Sequence, residues 1–219
     1  KFDTASDIFL RSVNLNQGSS RLFFVAGSTH RGEEEVVLDV YEKIRETYPD
    51  ITLILAPRHP ERITEVERLL SSKNFQFRRR TELPFPENDS TPIVLLDTIG
   101  ELVHFYARAR IVFVGGSLVP AGGHNILEPA GLGKAVFFGP YMDNFAEVAQ
   151  SFISRGAGIV VSNREELLQT ILKLLANPEE LEKMGRAALD IVVAHKGAAK
   201  KSAVLVKELL TLGENRFGA

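Results

Sequence analysis

The 219-residue sequence contains no cysteine and no tryptophan. The missing cysteine excludes a disulfide scaffold, thiolate zinc sites, iron–sulfur ligation and cysteine catalysis, and it is compatible with a reducing compartment. An excess of one charge is also missing. Twenty-six basic side chains face 28 acidic ones, a net −2 with neutral histidine, so the composition gives no pull toward nucleic acid. A membrane-spanning run is lacking as well. The longest uncharged stretch, Ile111 to Leu127, is broken by Gly115, Gly116, Pro120, Gly122 and Gly123. Nothing at the N-terminus follows the pattern of a secretory signal. The chain opens on Lys1 in place of methionine, and the expectation is a fragment of a longer protein.

What remains is globular: 44% hydrophobic and 25% charged residues, with enough chain for one sizeable domain or two small ones. Short apolar runs alternate with amphipathic stretches. Arg21–Gly27, Ile51–Ala56, Phe75–Phe77, Pro92–Leu96, Ile111–Val114, Ala135–Phe138 and Gly158–Val161 read as strands. Helices are expected over Glu33–Tyr48, from Pro60 toward Leu70, over Glu101–Ala109, from near Asn125, and over Phe145–Ser154. Three more, Glu165–Ala176, Pro178–Ala194 and Ala198–Leu212, follow. Continuous apolar strands imply a sheet covered on both faces. The fold class is therefore α/β: a doubly wound, mostly parallel sheet spanning 1–219 as one domain, with a helical C-terminal appendage from about residue 163.

In such folds the ligand lies at the carboxyl ends of the strands, and those turns are rich in polar residues and glycine. After the fifth strand comes Gly115-Gly-Ser-Leu-Val-Pro-Ala-Gly-Gly-His-Asn-Ile-Leu-Glu128. Its glycines let backbone approach a ligand, and the N–H groups about Gly116, Ser117 and Gly123 are expected to face a phosphate. The helix expected near Asn125 would add its N-terminal charge. His124 and Asn125 can donate to phosphate oxygens, and Glu128 can accept both hydroxyls of a ribose. The plainer alternative is a glycine-rich turn with Asn125 as a cap and Glu128 as a dipole partner.

After the first strand, Ser28 and its neighbouring amides can hold an anion. Glu33, Glu34 and Glu35 fit the positive end of a helix and need no other role. Arg31 either faces a substrate anion or pairs with those acids. After the second strand, Pro57-Arg58-His59-Pro60 offers the Arg58 fork for phosphate; His59 is an acid–base candidate or a packing residue. Arg78-Arg79-Arg80 reads as solvated surface, with acidic lipid headgroups as the alternative. His30, His59 and His124 fall at strand ends with no acidic partner at ligand spacing, so no metal site is expected. Signatures for NAD, for a Walker A loop and for a serine nucleophile elbow are absent. A mononucleotide site remains, built from loop glycines, an arginine and a ribose-clamping glutamate.

These residues resemble one family, the bacterial 3-deoxy-D-manno-octulosonic acid (Kdo) transferases of lipopolysaccharide synthesis. Gly27-Ser-Thr-His-Arg-Gly-Glu-Glu-Glu35 is similar to its A-S-T-H-x-G-E-E-E, and Pro57-Arg-His-Pro-Glu-Arg62 to its P-R-H-P-E-R. Asp97-Thr-Ile-Gly-Glu-Leu102 resembles D-T-M-G-E-L, and Gly115 through Glu128 resembles G-G-S-L-V…G-G-H-N-P-L-E. Ile99 and Ile126 stand where the family has Met and Pro. The resemblance implies the donor-binding C-terminal half of a GT-B glycosyltransferase, with CMP-Kdo as donor, the lipid A precursor as acceptor and no cofactor or metal. It implies that Pro57 and Arg58, then Ile99, Gly100 and Glu101, then Asn125, Ile126, Leu127 and Glu128 hold CMP. Lys1 matches a position that stabilises charge on the leaving phosphate. The general base would lie in the absent N-terminal acceptor half, leaving this chain able to bind donor but not to transfer sugar. The full-length protein would meet the cytoplasmic face of the inner membrane peripherally, and this piece would be soluble. Other GT-B transferases, a UDP-sugar epimerase domain and a non-catalytic nucleotide-binding module remain alternatives.

Overall fold

The computed structural model describes residues 22–82 and 91–195. Seven strands form one sheet: β1 Phe23–Thr29, β2 Thr52–Pro57, β3 Phe77–Arg79, β4 Ile93–Leu95, β5 Ile111–Val114, β6 Val136–Phe138 and β7 Gly158–Val160. Their order is β3-β4-β2-β1-β5-β6-β7, and every pairing is parallel. The helices are α1 Glu33–Thr47, α2 Ile63–Ser72, α3 Leu102–Arg108, α4 Leu127–Ala130, α5 Ala146–Ser154, α6 Arg164–Leu175 and α7 over 178–195.

The apolar strand runs divide cleanly between two faces, because successive side chains point to opposite sides of a sheet. Phe23, Val25, Ile54, Val112, Val114 and Phe138 pack with α3, α5 and part of α7 on one face. Phe24, Ala26, Leu53, Leu55, Phe113 and Phe137 pack with α1, α2 and α6 on the other. Two cores share one sheet, which is why strand alternation was invisible in the sequence. Among the described residues, no helix is long and apolar enough to cross a membrane.

Four details differ from expectation. Strand β3 starts two residues late, because the end of α2 wraps first: the Phe75 N–H donates to Leu70 O and Asn74 takes a left-handed φ of 59°. Pro60 opens a 3₁₀ turn, Pro60–Arg62, and α2 follows it. The helix expected near Asn125 is the single turn α4, stopped as Gly131 and the left-handed Gly133 (φ 70°) unwind the chain before β6. Within the described residues, α6 and α7 are no appendage. Leu167, Ile171 and Leu174 of α6 lie in one core and Ala188 and Ile191 of α7 in the other. The helix expected over 198–212 and the Pro84–Pro86 loop lie outside the described residues.

Candidate functional site

The strand order reverses between β1 and β5, and the crevice there is the expected ligand position in an open α/β sheet. A cleft of about 660 Å³ opens at that point. Of the residues singled out from sequence, Ser28, Pro57, Arg58, Ile99, Gly100, His124, Asn125 and Glu128 line it. Leu96, Tyr106 and Phe145 line it too, and none of the three was among the binding residues expected from sequence. Tyr106 sits beneath β1 so closely that a Cβ on Gly27 would be 2.0 Å from its hydroxyl oxygen.

The cleft walls are tied together by backbone. Ser28 carries a left-handed φ of 56° at the point where the β1–β2 register shifts, a conformation that is unusual for a residue with a side chain. The Arg58 N–H donates to Thr29 O at 2.9 Å, so the turn after β2 is held to the end of β1. The exposed Arg58 side chain has no carboxylate partner among the described residues. Asn125 Oδ1 accepts from the Leu127 N–H at 3.0 Å, and Asn125 Nδ2 donates to Glu128 Oε1 at 3.3 Å. The Glu128 carboxylate thus stands at the cleft with acceptor capacity left over. Ile99 is 85% exposed, an apolar side chain offered to solvent at the rim.

Other candidates are placed elsewhere. Glu101 lies behind the rim, where its carboxylate accepts from Arg80 at 2.7 Å and from the Thr98 hydroxyl. His59 is half exposed; its Nδ1 is 3.4 Å from Glu61, and its ring meets His30 edge-on at 5.4 Å. Ile126 is fully buried, Leu127 packs against the same core, and the Gly123 N–H donates to Gly116 O at 2.7 Å. Ser117 is also fully buried. Its hydroxyl donates to Val114 O at 2.6 Å and accepts from the Gly139 N–H at 2.8 Å. Lys1 lies outside the described residues.

Glu33 is what the sequence reading missed. Its carboxylate is fully buried and accepts from four backbone N–H groups. The Gly116 N–H donates to Oε2 at 2.6 Å and the His30 N–H to the same oxygen at 2.8 Å. The Ser117 and Leu118 N–H groups donate to Oε1 at 2.9 and 2.8 Å. The expectation that this glycine loop turns bare amides toward a phosphate is therefore overturned at Gly116 and Ser117, because a built-in anion already occupies the nest. The second acid is also committed: buried Glu34 accepts from Thr29 at 3.0 Å and from Arg62 at 2.8 Å. Only Glu35 is left exposed on the first turn.

The arginines expected at the surface are likewise engaged. Arg31 pairs with Glu65 in place of the adjacent acids. Arg79 forks onto Glu67 at 2.5 and 2.6 Å, and Arg80 is largely buried against Glu101. Burial drives Glu34's pKa up against the opposing hydrogen bonds from Arg62. Burial also lowers the pKa of His124 to about 4, helped by His30, Arg58 and His59. His30 is lowered as well, by burial first, although Glu33 opposes the shift. Arg58 is the cation that lines the cleft, and burial keeps the His30 and His124 imidazoles beside it toward their neutral form. Among the described residues no group of three or more His, Asp or Glu is arranged to hold a metal ion.

No family model matches the chain. Among curated proteins it is 37% identical over 215 residues to the 3-deoxy-D-manno-octulosonic acid transferase of Haemophilus influenzae, covering 96% of this chain and 50% of that protein. It is 36% identical over 160 residues to the transferase of the same name from Aquifex aeolicus, covering 73% of this chain and 44% of that protein. The chain spans about half the length of the curated relatives it matches. Among solved structures, it matches the C-terminal CMP-Kdo binding domain of WaaA from Acinetobacter baumannii. That match has 32% identity and a TM-score of 0.75, covering 85% of this chain and 98% of that one. Sucrose-phosphate synthase from Thermosynechococcus elongatus, at 16% identity and a TM-score of 0.63, shares the fold.

Proposed function

We propose, since this chain belongs to the 3-deoxy-D-manno-octulosonic acid transferase family, that it is the donor-binding half of such a glycosyltransferase and holds CMP-Kdo in the cleft between β1 and β5. The observation that supports this most is convergence. Three segments far apart in sequence, Pro57-Arg58, Ile99-Gly100 and Asn125 with Glu128, line one cleft.

In this reading Arg58 meets the phosphate with a planar, permanently charged fork. Glu128, oriented by Asn125, accepts from the ribose hydroxyls. Ile99 and the bare backbone of Gly100 (φ 86°) offer an apolar rim to the base. Glu101 works indirectly: Arg80 and Thr98 hold its carboxylate, and that fixes the turn carrying Ile99 and Gly100.

During transfer, the bond between the anomeric carbon and the phosphate oxygen breaks and CMP leaves with the electron pair. An acceptor hydroxyl oxygen forms the new bond, and its proton goes to a base. The charge growing on the phosphate is met by side-chain cations, Arg58 foremost, because Glu33 occupies the loop amides. The base and the lipid A acceptor belong to the other half of the full-length transferase. That protein works at the cytoplasmic face of the inner membrane through peripheral contact, and residues 1–219 alone bind donor without turnover.

Calorimetric titration with CMP, and with UMP, UDP and AMP as controls, tests the reading. Selective CMP binding that is lost in Glu128→Ala is the expected result. A preference for UDP, or CMP binding indifferent to Glu128, would overturn it in favour of a different transferase or epimerase.

A further inference from the structure

His30 is not among the residues that line the cleft, yet it holds one that does. His30 Nε2 and His124 Nε2 lie 2.8 Å apart, with ring centroids 5.0 Å apart and planes inclined by 22°. Two imidazole nitrogens at that distance share one proton: one ring donates N–H and the other accepts with its lone pair. The fold makes room for this pair. A Cβ on Gly116 would be 2.8 Å from His124 Cδ2 and 3.4 Å from His30 Cδ2, so the two rings lie over bare glycine backbone.

The arithmetic of the contact is restrictive. With both rings neutral the hydrogen bond forms, and with one proton added it persists as N–H⁺···N. A second proton removes the acceptor, sets two N–H groups face to face and forces the rings apart. The intact pair therefore carries zero or one positive charge.

Its surroundings set which. Glu33 faces His30 from the start of α1, and Arg58, His59 and Arg62 face it from the turn after β2. Arg58 and His59 face His124 as well. Burial comes first for both rings and disfavours the added proton, the neighbouring cations act in the same direction, and Glu33 opposes them at His30, so the empty pair stays neutral near pH 7. An anion at Arg58 offsets the charge of that guanidinium, which faces both rings, and so favours the charged form.

We propose that His30 and His124 form a proton-sharing pair that takes up one proton when an anionic phosphate group enters the cleft, with His30 acting as the positioning residue for His124. This rests on the cleft being the donor site and adds to it a specific consequence: the cleft gains a positive charge as its ligand arrives.

The test is a proton NMR titration of the imidazole resonances, run in a sulfate-free buffer, then with sulfate and then with CMP. Sulfate keeps its double charge throughout the titration and needs no nucleotide recognition. In the free protein His30 and His124 are expected to follow the same two macroscopic steps, separated by more than about one pH unit, as strongly coupled groups do. In His30→Gln, His124 is expected to titrate in a single step. Either anion should raise the first step by about one unit, a tenfold change in proton affinity. Independent single-step titrations in the wild-type protein would overturn the pair. A coupled pair that neither anion moves would overturn the proton uptake. If sulfate raises the first step while CMP binds nowhere, the pair stands and the donor-site reading falls. If CMP binds and neither anion moves the step, the donor-site reading stands and this inference falls.

Discussion

Glu33 offers a sharp experiment, because two physical accounts of one carboxylate predict different numbers. As a helix-dipole partner, an acid on the first turn contributes about 0.3–1 kcal/mol, and Glu33 and Glu35 would be equivalent. As the occupant of the amide nest, Glu33 satisfies four N–H groups, two of them, on Gly116 and Ser117, in fully buried bonds. Each buried donor left unpaired costs about 1–3 kcal/mol. Glu33→Gln keeps one acceptor oxygen and turns an NH₂ group toward the other two donors, so roughly 2–6 kcal/mol is lost. Glu33→Ala abandons all four, a loss of about 4–12 kcal/mol, comparable to the whole stability of a domain.

Urea unfolding reads the difference. With a slope of about 1–3 kcal/mol per molar urea, a loss near 3 kcal/mol lowers the midpoint by about 1–3 M. The expected outcome is that Glu33→Gln falls by that much, Glu35→Gln stays within about 0.5 M, and Glu33→Ala fails to accumulate as folded protein. Equal, small shifts for the Glu33 and Glu35 variants would refute the nest and restore the dipole account.

Three further perturbations follow from the same geometry. Ser117→Ala removes a buried donor to Val114 O and the acceptor of the Gly139 N–H, so unfolding in urea should show a loss of about 1–3 kcal/mol. Arg80→Ala leaves Glu101 without its cation; CMP affinity by calorimetry should fall several-fold, and an unchanged affinity would mean that the Ile99-Gly100 turn holds its shape without it. Stability should also depend on pH through the histidines. Both His30 and His124 titrate in the folded chain below the ordinary 6.5, His124 at about 4. As pH drops below 6.5 the unfolded chain takes up protons that the folded one refuses, so the urea midpoint should fall from there toward pH 4. His124→Gln should flatten that slope.

Much of the architecture was legible because burial on both faces leaves an unambiguous mark. Ile111–Val114 and Val25 with its neighbours admit no polar residue, and a sheet with such strands has to be parallel and covered. The cleft was legible for a related reason: all its strand-end turns carry residues that no core would accept. Long-range partnership was not legible. Glu33 meets the Gly116 amide 83 positions away, and an acid after Gly32 looks the same in sequence whether it serves a dipole or a nest. A usable signal did exist, since a buried glycine loop with several N–H groups needs an acceptor, and three consecutive glutamates stood opposite it. Arg80 was misread for the converse reason. A run of three arginines suggests solvent, yet the 3₁₀ turn at Arg80–Glu82 carries the third one inward onto Glu101.

The filled nest bears directly on how this cleft handles charge. Where backbone amides bind a phosphate, the positive potential is fixed, because peptide dipoles do not titrate. Here Glu33 neutralises that source and locks the loop, and the cleft depends on side chains. Arg58 is one such cation, at the wall of the cleft. The His30–His124 pair is the other, and its charge is conditional. A site built this way binds its anion weakly when the imidazoles are neutral and more tightly once they share an added proton. By linkage the same proton uptake makes anion affinity depend on pH, weaker as pH rises, in a way that an amide nest would not. The cost is the stability lost below pH 6.5. Pre-filling the nest with a carboxylate therefore exchanges a site of fixed positive potential for one whose affinity for an anion follows pH.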